Sequence, residues 1–130
     1  VYSKYPNAYL LLKSLTNLYP QGVTNIERVV STFPQEVIDH IVWLDQTSSN
    51  EFMGKLYRCS NVYVAPYKAE GFNLPVLESI ASGTPIIVPL SGSTDDFTKS
   101  SFTRYIDSNI VDTIDPITKK VINRMLNVSQ

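Results

Sequence analysis

Glu70 and Glu78 stand eight positions apart in the stretch Lys68-Ala69-Glu70-Gly71-Phe72-Asn73-Leu74-Pro75-Val76-Leu77-Glu78-Ser79-Ile80-Ala81-Ser82-Gly83-Thr84-Pro85. Pro75 fixes φ and lacks an N–H that a helix start would leave unpaired, so a helix is expected to begin there; Gly83 permits a left-handed ending. Glu78 then lies about one turn inside, leaning back toward the amino end. Glu70 approaches the same place from the loop, where Gly71 leaves the backbone open. Two carboxylates can accept hydrogen bonds from paired hydroxyls, each charge-assisted bond contributing about 1.5–3 kcal/mol. The helix start offers N–H groups and a positive dipole end, about 0.3–1 kcal/mol per exposed negative charge. A molecule with an anionic middle and hydroxyls at both ends, such as a nucleotide sugar, uses both features.

Each piece alone has an ordinary explanation. Surface glutamates are common, a glycine before an aromatic is a plain turn, and Pro75 and Gly83 are usual helix punctuation. What raises the stretch above these readings is the order of its residues and its place among the elements that carry it.

Those elements alternate. The apolar run Ala8-Tyr9-Leu10-Leu11-Leu12 predicts a strand buried on both faces, ending at Lys13 and Ser14. Val23, Ile26, Val29, Val30 and Phe33 fall at helical spacing, with Thr24 and Glu27 as a capping box and Pro34 as a stop. His40–Leu44 predicts a second strand. Ser49 or Asn50 caps a helix whose face carries Phe52, Leu56 and Cys59. Val62–Ala65 and Ile86–Val88 predict the strands on either side of the helix at Pro75. The loop Leu90–Asp96 is expected to cap a further short helix, Phe102–Ile106 and Val111–Ile114 to form short edge strands, and Ile117–Leu126 a final helix. Val1–Lys4 read as the end of a helix beginning upstream, and the chain as a segment of a longer protein.

Strands alternating with helices predict an α/β fold, a doubly wound, mostly parallel sheet of Rossmann-like type. Ligands of such sheets bind at the carboxyl ends of the strands. That rule assigns Lys13-Ser14, Asp45-Gln46, residues 68–73 and Ser91-Gly92 to one edge.

Composition limits the alternatives. With 43% apolar and 18% charged residues the chain has the make-up of a folded soluble domain. A net charge of −1 without any basic cluster argues against nucleic acid as a partner, and no stretch reaches the length of a membrane span. The single cysteine, Cys59, cannot form an internal disulfide, which suits a reducing compartment. Cys59 and Trp43 are expected in the core, and His40, without metal-spaced neighbours, in a structural role.

Taken together, Glu70-Gly71-Phe72-Asn73-Leu74-Pro75-Val76-Leu77-Glu78, continued by Ala81, Gly83-Thr84-Pro85 and Ile86-Ile87, resembles the E-x7-E signature of retaining GT-B glycosyltransferases of the group 1, or GT4-like, family. The resemblance extends through Tyr5–Lys13, Ile41–Leu44 and Leu56–Val62 and covers residues 1 to 97. It implies the carboxyl-terminal, donor-binding domain of a GT-B architecture, lacking here its first strand and the amino-terminal acceptor domain. Glu70 would be the catalytic residue at the donor sugar's hydroxyls, and Glu78 would bind the nucleotide ribose. The backbone of Gly71, Phe72, Asn73 and Leu74 would meet the phosphates and sugar, and Asp45 and Gln46 would lie near the base.

The resemblance further implies a UDP- or GDP-sugar donor, an acceptor that is a saccharide, lipid or protein, no required metal, and a place in the cytoplasm or on the cytosolic face of a membrane. This chain alone would be inactive, since the family's basic phosphate-binding pair precedes Val1. Three positions depart from the family pattern. Asn73 stands where a second glycine is usual, Lys13-Ser14 replace a glycine after the first strand, and residues 91–96 hold one glycine rather than a pair, with Asp95 or Asp96 as a cap. The alternative reading is a non-catalytic nucleotide or sugar-phosphate binding module, or a GT-B phosphorylase or epimerase.

Overall fold

Parallel strands alternate with helices from Leu10 to Pro89, as the sequence pattern predicts. The computed structural model describes residues 4–18, 20–114 and 117–128, in two units, one up to Ser48 and one from Ser49 onward.

The first unit holds strand β1 (Leu10–Ser14), helix α1 (Pro20–Val30), a single-turn helix α2 (Gln35–Ile38) and strand β2 (Ile41–Asp45). β1 and β2 pair in parallel, with Leu10 opposite Ile41 and Ser14 opposite Asp45. The ladder starts two residues later than the apolar run, because Ala8 N–H turns back to the Tyr5 carbonyl at 3.0 Å. Lys13 and Ser14 therefore belong to the strand. Leu10, Leu11 and Val42 are exposed rather than buried on both faces; a two-stranded pair is too narrow to be covered on both sides.

α1 begins before the expected capping box. Pro20 takes its first position, and Thr24 lies inside the helix, where its hydroxyl donates to the Pro20 carbonyl at 3.1 Å. Proline's fixed φ suits that first position, and a threonine inside a helix often bonds back by four residues. The helix stops at Val30, and Pro34 caps α2 instead of ending α1. His40 is structural: its Nδ1 lies 2.9 Å from the Glu36 carbonyl and its ring stacks on Tyr9 at 4.8 Å. Of the helix end expected at Val1–Lys4, the first three residues lie outside the described ones, and Lys4 is in a turn.

The second unit opens with helix α3 (Asn50–Cys59), capped by Ser49, whose Oγ accepts from Phe52 N–H at 3.2 Å. Strand β3 (Tyr63–Val64), helix α4 (Leu74–Ala81), strand β4 (Ile86–Pro89) and strand β5 (Thr103–Ile106) follow. The three strands form a parallel sheet in the order β3-β4-β5. Its core is Ala65, Val76, Ile86 and Val88, with Tyr63, Tyr67, Ile80 and Phe97 packed against it. Cys59 is exposed, not core. The buried face of α3 runs through Tyr57, one position from the stripe that the apolar residues suggest.

Two expected helices are absent. Residues 93–97 form turns only. Residues 117–126, expected as a final helix, lead into strand β7 (Val121–Val128), which pairs antiparallel with β6 (Ser108–Ile114), Ser108 opposite Val128 and Ile114 opposite Val121. Asn123 and Asn127 are weak helix formers, whereas Val121, Ile122 and Val128 favour strands, and the β6 ladder decides the matter. Val111–Ile114 are accordingly part of a hairpin, not of an edge strand on the parallel sheet.

Candidate functional site

The stretch around Glu70 and Glu78 takes its shape from three backbone positions. Asn73 precedes α4 with φ 63° and ψ 61°. Asparagine is the residue after glycine that best tolerates this left-handed geometry, so Asn73 can take a backbone turn that otherwise favours glycine. Pro75 sits in the first turn, one residue after the helix start. Gly83, φ 80°, closes the helix: its N–H donates to the Ile80 carbonyl at 2.9 Å and Thr84 N–H to the Ser79 carbonyl at 3.0 Å. These two bonds form a Schellman ending.

At the amino end, Pro75 has no N–H and Val76 N–H donates to the Asn73 carbonyl at 3.0 Å. Asn73 makes no side-chain cap. The positive end of the helix therefore directly follows the 70–73 loop in the chain. Space at Gly71 is open, with no atom within 4 Å of where a Cβ would stand. The fold therefore does not itself require a glycine there.

Glu78 is held from behind. The Tyr57 hydroxyl, on α3, donates to Glu78 Oε2 at 3.1 Å. Tyr57 is 6% exposed and meets Tyr63 edge-on, ring centroids 5.6 Å apart. Burial, then the nearby Glu78 charge, pushes the Tyr57 phenol well above its ordinary range. Burial also raises Tyr63, with the charges of Glu70 and Glu78 adding to it. Both carboxylates thus act on one phenol. Glu70 is exposed and has no hydrogen-bond partner among the described residues.

Two further contacts fasten the loop after β3 to the loop after β4. Tyr67 Oη and Thr94 Oγ1 lie 2.9 Å apart, and the rings of Phe72 and Phe97 lie 5.1 Å apart. Within the second unit the loops that follow β3 and β4, which contain residues 68–73 and Ser91-Gly92, are therefore brought together through these contacts. Thr94, fully buried, anchors this loop, and no helix follows there for Asp95 or Asp96 to cap.

In the first unit the strand ends also adjoin, but the chemistry is different. Asp45 Oδ1 accepts from Thr16 N–H at 2.8 Å and from Ser14 Oγ at 3.1 Å, and Oδ2 accepts from the Thr16 hydroxyl. The Thr16 bonds chiefly, with Ser14 and the Lys13 charge, hold its carboxyl below the usual range. Ser14 Oγ in turn accepts from Trp43 Nε1–H at 2.6 Å, so Trp43 is a half-buried link in a polar chain and not a core residue. Lys13 Nζ donates to the carbonyls of Ser14 and Gln46.

Sequence reasoning missed Tyr57, Thr84, Tyr67 and Thr94 as supports of the site. A tyrosine on the apolar side of a helix was the available signal, since a buried phenol needs a partner. On α4 Val76 and Ser79 are buried, Leu77 and Ile80 half-buried and Ala81 exposed. Ser79 Oγ has no hydrogen-bond partner. Among the described residues no three His, Cys, Asp or Glu side chains gather as a metal group. No helix there is long and apolar enough to cross a membrane.

Comparison with known proteins gives these features a setting. The model of the family described as glycosyl transferases group 1 matches residues 19–107. Uncharacterized glycosyltransferase 335 of Sulfolobus islandicus rod-shaped virus 1 is 37% identical over 65 residues, 50% of this chain and 19% of that protein. The MMP alpha-(1->4)-mannosyltransferase of Mycolicibacterium hassiacum is 34% identical over 82 residues, 63% of this chain and 19% of that protein. The chain spans about a fifth of the length of these curated relatives. No solved structure matches it significantly. The family match covers well over half of the chain, which belongs to the group 1 glycosyl transferases.

Proposed function

From membership in the group 1 glycosyl transferases, we propose that this chain is the donor-binding part of an enzyme that moves a sugar from a nucleotide-diphosphate donor to an acceptor, with retention at the anomeric carbon. Glu70 meets hydroxyls of the donor sugar and Glu78 those of the ribose. The backbone of Gly71, Phe72, Asn73 and Leu74 takes the diphosphate, with open space at Gly71. Asp45 and Gln46 lie near the base; both Asp45 side-chain oxygens are engaged by Ser14 and Thr16 and the Gln46 carbonyl by Lys13, so the Gln46 side chain is the group left for it. The reading needs no metal. Mannose is the sugar to test first, because the Mycolicibacterium relative is named a mannosyltransferase. The acceptor is a saccharide, lipid or protein, and the enzyme works in the cytoplasm or at its membrane face. As a GT4-like E-x7-E donor half, the segment from Val1 to Gln130 is inactive without the acceptor half.

The observation that carries this reading is a helix start without a side-chain cap, preceded by Glu70 in the adjoining loop and carrying Glu78 one turn inside. An anion at Leu74 N–H and hydroxyls at Glu70 and Glu78 are satisfied by one ligand. A calorimetric and thermal-shift screen of the full-length protein against UDP, GDP and their sugars tests it. Binding of at least one, followed by sugar transfer, is expected; a response to none of them overturns the reading.

Gly71 sharpens the test. Because a Cβ there meets no protein atom, Gly71→Ala is expected to fold with wild-type stability while weakening donor binding. Equal affinity in that variant would remove the diphosphate from the 71–74 loop.

A further inference from the structure

The Tyr57 hydroxyl is the sole hydrogen-bond donor to Glu78 among the described residues, and two further contacts hold the residue. Its ring is packed against Tyr63. Its backbone carbonyl accepts from the Thr84 hydroxyl at 2.6 Å, in the buried turn just past the end of α4. α3 and α4 are thereby joined twice, once at the carboxyl end of α4 through Thr84 and once inside it through Glu78. A carboxylate on a flexible glutamate side chain loses rotamer freedom on binding, about 1.5–2 kcal/mol for the whole side chain. A buried donor on one oxygen removes most of that freedom beforehand and leaves Oε1 for a ligand.

We infer that Tyr57 is a positioning residue for the donor: its hydroxyl locks the Glu78 carboxylate in the orientation that meets the ribose diol. The inference rests on the ribose role proposed for Glu78. A neutral phenol suits this task, because it donates a hydrogen bond without cancelling the negative charge that receives the diol.

The experiment compares UDP and GDP with their 2′,3′-dideoxy forms as calorimetric ligands of the full-length protein, in wild type, Tyr57→Phe, Glu78→Gln and the double variant. Tyr57→Phe is expected to weaken binding of the ribose form about three- to ten-fold, the range of one net hydrogen bond, and to leave binding of the dideoxy form unchanged. In the Glu78→Gln background the same substitution is expected to have no effect. Equal losses for ribose and dideoxy forms, or equal losses in both backgrounds, mean that the hydroxyl supports the fold alone and overturn the inference while the proposed function stands. Wild type that binds neither nucleotide overturns the proposed function, and the inference with it. Should Tyr57→Phe fail to fold, Glu78→Asp carries the same test. Its carboxylate, one methylene shorter, cannot reach both partners, so it is expected to lose the ribose preference as fully as Glu78→Gln. A Glu78→Asp protein with the full preference overturns the inference.

Discussion

Asp45 ends a parallel strand and Glu78 lies inside the helix between two others, and the chain holds these two carboxylates in opposite ways. Asp45 is exposed and spends both oxygens on Ser14 and Thr16. Glu78 has one oxygen on a buried phenol and the other without a partner among the described residues. The first arrangement closes the end of a two-stranded ladder; the second presents an acceptor. Whether an acid beside a strand end is a staple or a binding group is decided by how many of its lone pairs the fold consumes.

The surroundings differ in the same sense, and the largest expected effect tests that. Ile86, fully buried in β4 beneath α4, should cost about 2–5 kcal/mol when changed to alanine. Val42→Ala in the exposed β2 should cost under about 1 kcal/mol. Chemical denaturation measures both, and similar losses would break the contrast between a packed region and an open one. Next come the acids themselves. In full-length enzyme Glu70→Gln is expected to lower turnover about 10- to 100-fold, the worth of a charge-assisted hydrogen bond, and Glu78→Gln to weaken donor binding about 10-fold. Wild-type kinetics in both variants would remove these residues from the site.

Smaller effects sharpen the comparison. Asn73→Val must force a β-branched residue into left-handed backbone, at about 1–2 kcal/mol, whereas Asn73→Gly should stay within about 0.5 kcal/mol of wild type. Ser79→Ala removes a buried hydroxyl that bonds to nothing, and denaturation should show unchanged or higher stability, by up to about 1 kcal/mol.

The smallest effects separate the two regions by pH. The folded Asp45 carboxyl titrates below its unfolded value, so its contribution is present above about pH 4 and lost as the pH falls further. The melting temperature of Asp45→Asn should therefore approach that of wild type in acid. Tyr57 titrates above its unfolded value, so its contribution is complete below about pH 10 and lost as the pH rises through the raised value. Tyr57→Phe should flatten the alkaline fall in melting temperature.

What the sequence made legible was local. Ser49 as a cap and Gly83 as a left-handed ending could be read from a few adjacent residues, and Pro75 fixed the start of α4 to within one residue. The strand cores survived with shifted ends, because hydrogen-bond partners, not apolar runs, set where ladders begin. What failed depended on distant partners. Tyr57 meets Glu78 and Thr84 across 21 and 27 positions, and nothing near Tyr57 announces either. The misassigned final helix failed for the same reason, since residues 121–128 carry a pattern compatible with either state until β6 is set beside them. Of the site, the acids, the glycine and the helix start were visible beforehand; the residues that hold them in place were not.

The paired contacts of Tyr67 with Thr94 and of Phe72 with Phe97 have a dynamic consequence. A loop latched at two points to its neighbour cannot open alone, so residues 67–73 and 94–97 should behave as one cooperative opening unit. Backbone amides on both loops would then exchange with solvent deuterium at a shared rate, and Phe97→Ala would speed exchange at Gly71 and Phe72 as much as at its own turn.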